Sequence, residues 1–137
     1  MKIAGTLLDT CAVIWLSNNQ PLSAEAQSAI VEAGEHGRIF VSPITAWEVG
    51  LLVSRGRLSV PLSPLRWFQR VLDSGVLLAP MTPEALIESS SLPGDFHRDP
   101  ADRILAATAR LHDYQVVTRD GAFLKYGEQG HVAVLAC

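Results

Sequence analysis

The 137-residue sequence holds only two cysteines, Cys11 and Cys137, near its opposite ends, and neither belongs to a CxxC pair or a Cys/His pattern of metal-binding spacing. Neither a disulfide framework nor a zinc site is indicated, and each thiol reads as an ordinary buried or terminal side chain. No apolar run reaches the ~18 residues needed to cross a bilayer. The N-terminus also lacks a long apolar stretch followed by a small-residue cleavage site, so a cytoplasmic protein with no membrane partner is expected. No Gly-rich phosphate loop follows the first apolar run, which weighs against nucleotide binding. Positive charge is not in excess either: the formal net charge is −3 and the pI is near 5.7. Domains that hold nucleic acid by bulk electrostatics are usually strongly basic. Charge is uneven, however, since Arg55, Arg57, Arg66 and Arg70 fall in a stretch from Leu51 to Leu72 that contains no acid. That stretch is either a solvated face or a surface for phosphate or an acidic partner.

What is present is a chain that is 48% hydrophobic, with no internal repeat, low-complexity tract or interdomain linker. One domain over residues 1–137 is expected, large enough to bury about two-thirds of its unfolded surface. The run Ile3 to Leu8 is too short for a helix and ends in Asp9, which reads as a buried strand presenting a carboxylate. Asp9-Thr10 can cap a helix carrying Val13, Ile14 and Leu16, which fades at Ser17-Asn18-Asn19. A second helix opens at Ser23 and runs to Gly37, and Arg38 to Ser42 is a short strand. Pro43 then starts a helix ending near Gly56, Leu58 to Pro64 connects, and Pro64 to Asp73 is a helix with Trp67, Phe68, Val71 and Leu72 inward. Trp47, like Trp67 and Phe68, reads as core.

The second half continues the alternation. Gly75 to Ala79 is a strand, Thr82 to Ser90 a helix, and Pro93 to Arg98 a polar loop. Asp99-Pro100-Ala101-Asp102 leads into a helix over Arg103 to His112 with Ile104, Leu105, Ala107, Thr108 and Leu111 inward. Gln115 to Thr118 is a strand, Arg119-Asp120-Gly121 turns the chain, and Val132 to Leu135 forms a final edge strand. Strands alternating with helices predict a parallel sheet covered on both faces.

In such a sheet every strand's carboxyl end, and every following helix's start, lies on one edge, where ligands bind. Asp9, Glu48, Asp99, Asp102 and Asp120 all lie at these junctions and are predicted to converge. Each alone has a plain alternative as a helix cap. Thr45-Ala-Trp-Glu48 fits a capping box, and Asp9, Asp99 and Asp120 are good N-caps. Together they form a set of like charges that cannot all stay ionised without a counter-charge, so at least one carboxyl is expected to have a raised pKa. Carboxylate oxygens suit Mg²⁺ or Mn²⁺ as that counter-charge, whereas the scattered histidines and cysteines do not suit zinc or copper.

Four segments, Leu7-Leu-Asp9-Thr10, Ser42-Pro-Ile-Thr-Ala-Trp-Glu48-Val, Asp99-Pro-Ala-Asp102-Arg-Ile-Leu-Ala-Ala and Val117-Thr-Arg-Asp120, resemble in order and spacing the signature segments of PIN-domain ribonucleases. Within that family the chain is most similar to the VapC-like toxins of bacterial toxin–antitoxin pairs. The resemblance implies a three-layer α/β/α sandwich around a central, mostly parallel sheet of about five strands. It implies Asp9, Glu48 and Asp102 as metal-binding catalytic acids, with Asp120 at a fourth, more variable position and Asp99 left to cap its helix and orient the site. It further implies Mg²⁺ (or Mn²⁺) as cofactor and hydrolysis of RNA to 5′-phosphate and 3′-hydroxyl ends. Its partners would be a cognate antitoxin and a second copy in a homodimer. Cys11 departs from the pattern, because many relatives carry a His two residues after the first acid.

Thr10 and Thr118 are candidates to bond the acids or water, or to cap helices. Arg98, Arg103 and Arg119 flank the acidic segments and can bind phosphate or pair with the acids. His36, His97, His112 and His131 read as surface or capping residues, with His97 the exception to watch because it lies close to Asp99. The helical region from Val49 to Leu72 is the expected docking groove for an antitoxin helix. Three other readings compete: a non-catalytic PIN-like RNA-binding or scaffold module, a metal-dependent DNA nuclease, and a phosphotransfer domain. The last lacks a second Asp at position 11 and a suitably placed Lys.

Overall fold

A computed structural model describes residues 2–137. Its sheet contains β1 (Gly5–Leu8), β2 (Ile39–Val41), β3 (Leu77–Leu78), β4 (Tyr114–Thr118) and β5 (Ala133–Ala136). Their order is β3-β2-β1-β4-β5, and every pairing is parallel. Seven helices accompany them: α1 (Thr10–Ser17), α2 (Ala24–Glu35), α3 (Pro43–Ser54), α4 (Pro64–Asp73), α5 (Pro83–Glu88), α6 (Pro100–His112) and α7 (Gly121–Glu128).

Successive strand residues point to opposite faces, which divides the core in two. Leu8 and Val117 join Val13, Val49, Trp67 and Phe68 beneath α1 to α4. Leu7 and Val116 join Leu105, Phe123 and Tyr126 beneath α6 and α7. All four strand residues are fully buried, as a sheet covered on both sides requires. The result is the expected three-layer α/β/α sandwich, with a sheet that is wholly parallel.

Chain order places the site. From central β1 the chain moves outward to β2 and β3 on one side, then crosses to β4 and β5 on the other. The switch point therefore lies between the carboxyl ends of β1 and β4, where an open sheet leaves a crevice. Asp9 follows β1 directly, and Thr118 ends β4.

Several expectations need correction. Residues Gly121 to Glu128 form α7, capped by Asp120 as its N-cap reading allows, although Arg119-Asp120-Gly121 is expected to turn the chain with no helix placed after it. The proposed capping box at Thr45 is not one. Ser42 caps α3 by accepting from the Ile44 N–H at 3.1 Å, which leaves Thr45 inside the helix and fully buried. Trp47 is 52% exposed and outside the core, whereas Trp67 and Phe68 are buried as expected. At 100° per residue, burying Thr45 and Val49 turns Trp47 to the opposite face of α3. The strand expected over residues 75–79 shortens to the exposed edge pair Leu77–Leu78.

Candidate active site

The acids reach the switch point from separate elements. Asp9 is 4% exposed, and its Oδ1 accepts the Ala12 N–H at 2.8 Å, capping α1. A carboxylate offers about four lone-pair sites, so accepting one cap hydrogen bond leaves it further acceptor capacity. Asp120 caps α7 in the same way, with Oδ2 accepting from the Phe123 N–H at 2.9 Å. Asp99 caps α6, with Oδ1 accepting from Ala101 at 2.9 Å and from Asp102 at 3.3 Å. Glu48 comes from within α3, and Asp102 from the first turn of α6.

Buried hydroxyls fix these acids in place. The Thr10 hydroxyl donates to Glu48 Oε1 and lies 3.0 Å from the Thr45 hydroxyl, so two threonines set the angle at which Glu48 leaves its helix. Thr118 Oγ1 accepts the Asp120 N–H at 3.0 Å, and the same hydroxyl bonds the Asp9 carboxylate. It thereby ties the first acid to the fourth. Thr10 and Thr118 are 6% and 0% exposed, so both bonds form where water competes least.

The electrostatics follow from this crowding. Burial raises the Asp9 carboxyl, hydrogen bonds from Thr118 and Ala12 pull it back, and Asp120 pushes it up again. Glu48 is raised by burial, lowered by the Thr10 hydrogen bond, and raised by Asp99 and Asp9. Asp102 is pushed up to about 8, first by burial and then by the charges of Asp99, Glu48, Asp120 and Asp9. The expected raised carboxyl is present, and the acids that raise it are Asp99 from its own helix start and three that arrive from other segments. Cys11 faces the same field: its thiol is pushed up to about 11 by desolvation, then by Asp9, Glu48, Asp102 and Asp120. It stays protonated at neutral pH and is a poor nucleophile.

Two of the flanking arginines, Arg103 and Arg119, turn to main-chain carbonyls rather than to the acids. Arg103 turns back to main-chain carbonyls, with Nε on Ser89 at 2.7 Å and Nη1 on Phe96 and His97 at 3.1 and 3.2 Å. Arg119 lies over the Trp15 ring at 3.4 Å and donates to the Pro21 carbonyl at 2.8 Å. The positively chargeable group beside the acids is His97, whose Nε2 lies 3.0 Å from Asp102 Oδ2 and 3.7 Å from Asp120 Oδ2. In sequence, only its nearness to Asp99 marks it out. The 93–98 loop instead folds it onto Asp102 and Asp120, a return that no local pattern announces.

Among the described residues no arginine or lysine pairs with these carboxylates; such a crowded set fits a divalent cation, and the oxygen donors fit Mg²⁺ or Mn²⁺. Among the described residues, His97, Asp102 and Asp120 bring donor atoms within 4.8 Å of one another.

The PIN domain family matches residues 6–129 of this chain. Ribonuclease VapC22 of Mycobacterium tuberculosis is 34% identical over 115 residues, covering 83% of this chain and 85% of that protein. Among solved structures, FitAB bound to an IR36 DNA fragment aligns with a TM-score of 0.60 and 27% identity, covering 96% of this chain and 94% of that one. DNA-bound VapBC from Salmonella typhimurium aligns with a TM-score of 0.67 and 19% identity over 98% of both chains, a likeness of fold. With the family matched over nearly the whole chain and its acids gathered at the switch point, the protein belongs to the PIN domain family.

Proposed function

We propose that this PIN domain is a metal-dependent endoribonuclease that acts in the cytoplasm as the toxin of a toxin–antitoxin pair. One observation carries the reading: Asp9, Glu48, Asp102 and Asp120 crowd one crevice while the nearest arginines in sequence, Arg103 and Arg119, turn to main-chain carbonyls. The 34% identical relative is a ribonuclease, which favours RNA as substrate. Bound by these acids, Mg²⁺ or Mn²⁺ would lower the pKa of a coordinated water and offset charge developing on the scissile phosphate.

The chain's own residues supply orientation. Thr118 holds Asp9 and Asp120 in fixed relation, Thr10 and Thr45 aim Glu48, and Asp99 fixes the start of α6 and hence Asp102. Such prior placement avoids reorganisation as charge builds in the transition state. An antitoxin helix would dock on the apolar groove of about 350 Å³ that Val13 and Leu16 of α1 form with Pro61, Leu62 and α4. The exposed Leu77, Leu78, Leu86 and Ile87 offer an apolar surface for a second copy in a homodimer.

RNA incubated with the purified protein should be cut in Mg²⁺ or Mn²⁺ and left intact in EDTA, with 5′-phosphate and 3′-hydroxyl ends. Asp9→Asn should abolish cutting. Undiminished cleavage in EDTA or by the variant overturns the reading, and cleavage of DNA alone replaces the substrate.

A further inference from the structure

We infer that His97 contributes a nitrogen donor to the metal site, alongside Asp102 and Asp120. The inference rests on the metal-dependent reading above and adds a ligand of a different chemical kind. Nε2 is buried and makes no hydrogen bond, although Asp102 Oδ2 is only 3.0 Å away. The two groups are close but not aligned for a bond to each other. Two donors directed at a common third atom have this relation, and Asp120 Oδ2, 3.7 Å from the same nitrogen, completes the trio.

The ring is also held where it is. Arg103, one residue after Asp102, reaches back to the carbonyls of Phe96 and His97 and to that of Ser89. Phe96 packs its ring on Tyr126 at 4.6 Å and edge-on to Phe123 at 5.0 Å, and its own edge contact with His97 is at 4.4 Å. A single residue of α6 thus anchors the loop to the helix that carries Asp102, while the aromatic pair of α7 fixes the loop's other side. Preorganisation of this kind is what a ligand supplied by a loop requires.

Imidazole is a borderline donor that suits Mn²⁺ better than Mg²⁺, which keeps to oxygen. His97 should therefore bias the site toward Mn²⁺. The competing role is that of a protonated counter-ion, which would neutralise Asp102 and Asp120 and oppose a cation. The two roles predict opposite signs.

The test uses metal-stripped full-length protein titrated with Mn²⁺, with binding followed by electron paramagnetic resonance and bound Mn²⁺ inspected for ¹⁴N coupling by electron spin echo modulation. Wild type should show imidazole nitrogen coupling. His97→Ala should lose it and weaken Mn²⁺ at least about 10-fold, the loss known even for residues that only orient ligands, with a smaller effect on Mg²⁺. His97→Gln should behave alike, and His131→Ala should keep the coupling. Bound Mn²⁺ without nitrogen coupling in wild type overturns the inference whatever the variants do, as does equal or tighter binding by a folded His97→Ala. Failure of wild type to bind Mn²⁺ at all overturns the metal-dependent reading and this inference together.

Discussion

The helices of this protein start on two chemically different kinds of cap. Away from the acids, α2, α4 and α5 begin on hydroxyls: Ser23, Ser63 and Thr82 accept from the chain at 3.0, 3.3 and 3.1 Å. At the crevice, α1, α6 and α7 begin on carboxylates: Asp9, Asp99 and Asp120 accept at 2.8, 2.9 and 2.9 Å. Ser and Asp are about equally good caps, so helix formation alone does not explain the division. All three carboxylates are among the charges that raise Asp102, and Asp9 is almost fully buried as well. The protein accepts a local destabilisation at one end of its sheet that it avoids elsewhere. The proposed ion-binding role would account for this, whereas capping alone would not. Only α3 breaks the rule, with Ser42 as cap and its acid, Glu48, further along the helix.

Exchanging the two kinds of cap is the strongest way to break this contrast. Asp9→Ser keeps an oxygen for the Ala12 N–H and removes the charge. Cleavage of RNA should fall about 10³-fold, because an ion stabilises the transition state by several kcal/mol and each 1.4 kcal/mol is tenfold. The reciprocal change, Ser63→Asp, should leave turnover and Mn²⁺ binding untouched. Loss of activity in the second variant, or its retention in the first, would remove the distinction.

A second effect is on stability and has a definite sign. Asp102 titrates near 8 when folded, above its ordinary value of 3.8. Its contribution to the metal-free protein is therefore complete below about pH 4 and lost as pH rises through about 8. Asp102→Asn should raise metal-free stability at pH 8.5 by on the order of 1–3 kcal/mol, with little change at pH 4. Thermal unfolding at the two pH values checks it, and equal gains at both would mean that charge crowding is not the cause.

Smaller effects sharpen the division of labour. Thr118→Val removes the hydroxyl that joins Asp9 to Asp120 and should lower cleavage about 10-fold, the effect of losing one hydrogen bond to a charged group. Asp99→Ser should change turnover least, since the cap survives. NMR titration should nonetheless show Asp102 with a lower pKa, because Asp99 is the leading charge raising it. An unmoved Asp102 would place Asp99 outside the cluster.

How far the sequence carried depended on the range of the forces involved. The alternation of short apolar runs with capped helices is local, and it located all the strands to within a few residues. Only the edge strand β3 shrank to two residues, with a partner on one side alone. Gly121 directly after Asp120 is a turn signal that masks α7 even though Asp120 is a good cap, and Thr45 with Glu48 mimics a capping box just inside the true cap, Ser42. The acids were legible because parallel topology sends every such junction to one edge. The orientations of Arg103, Arg119 and His97 were not, since they depend on carbonyls and rings remote in sequence: Pro21 for Arg119, and Ser89, Phe96 and the α7 aromatics for the His97 loop.

Under the proposed function the carboxylate caps serve an ion rather than their helices. Thermal unfolding of wild type and Asp9→Ser at pH 7.5, each with EDTA and with saturating Mn²⁺, tests it directly. In EDTA the variant should be at least as stable as wild type, because the cap is kept and a buried charge is gone. Mn²⁺ should reverse the order by raising wild type alone, by about 2.7 kcal/mol at a hundredfold excess over Kd. A variant less stable in EDTA, together with a wild type that Mn²⁺ leaves unmoved, would make Asp9 a cap and nothing more.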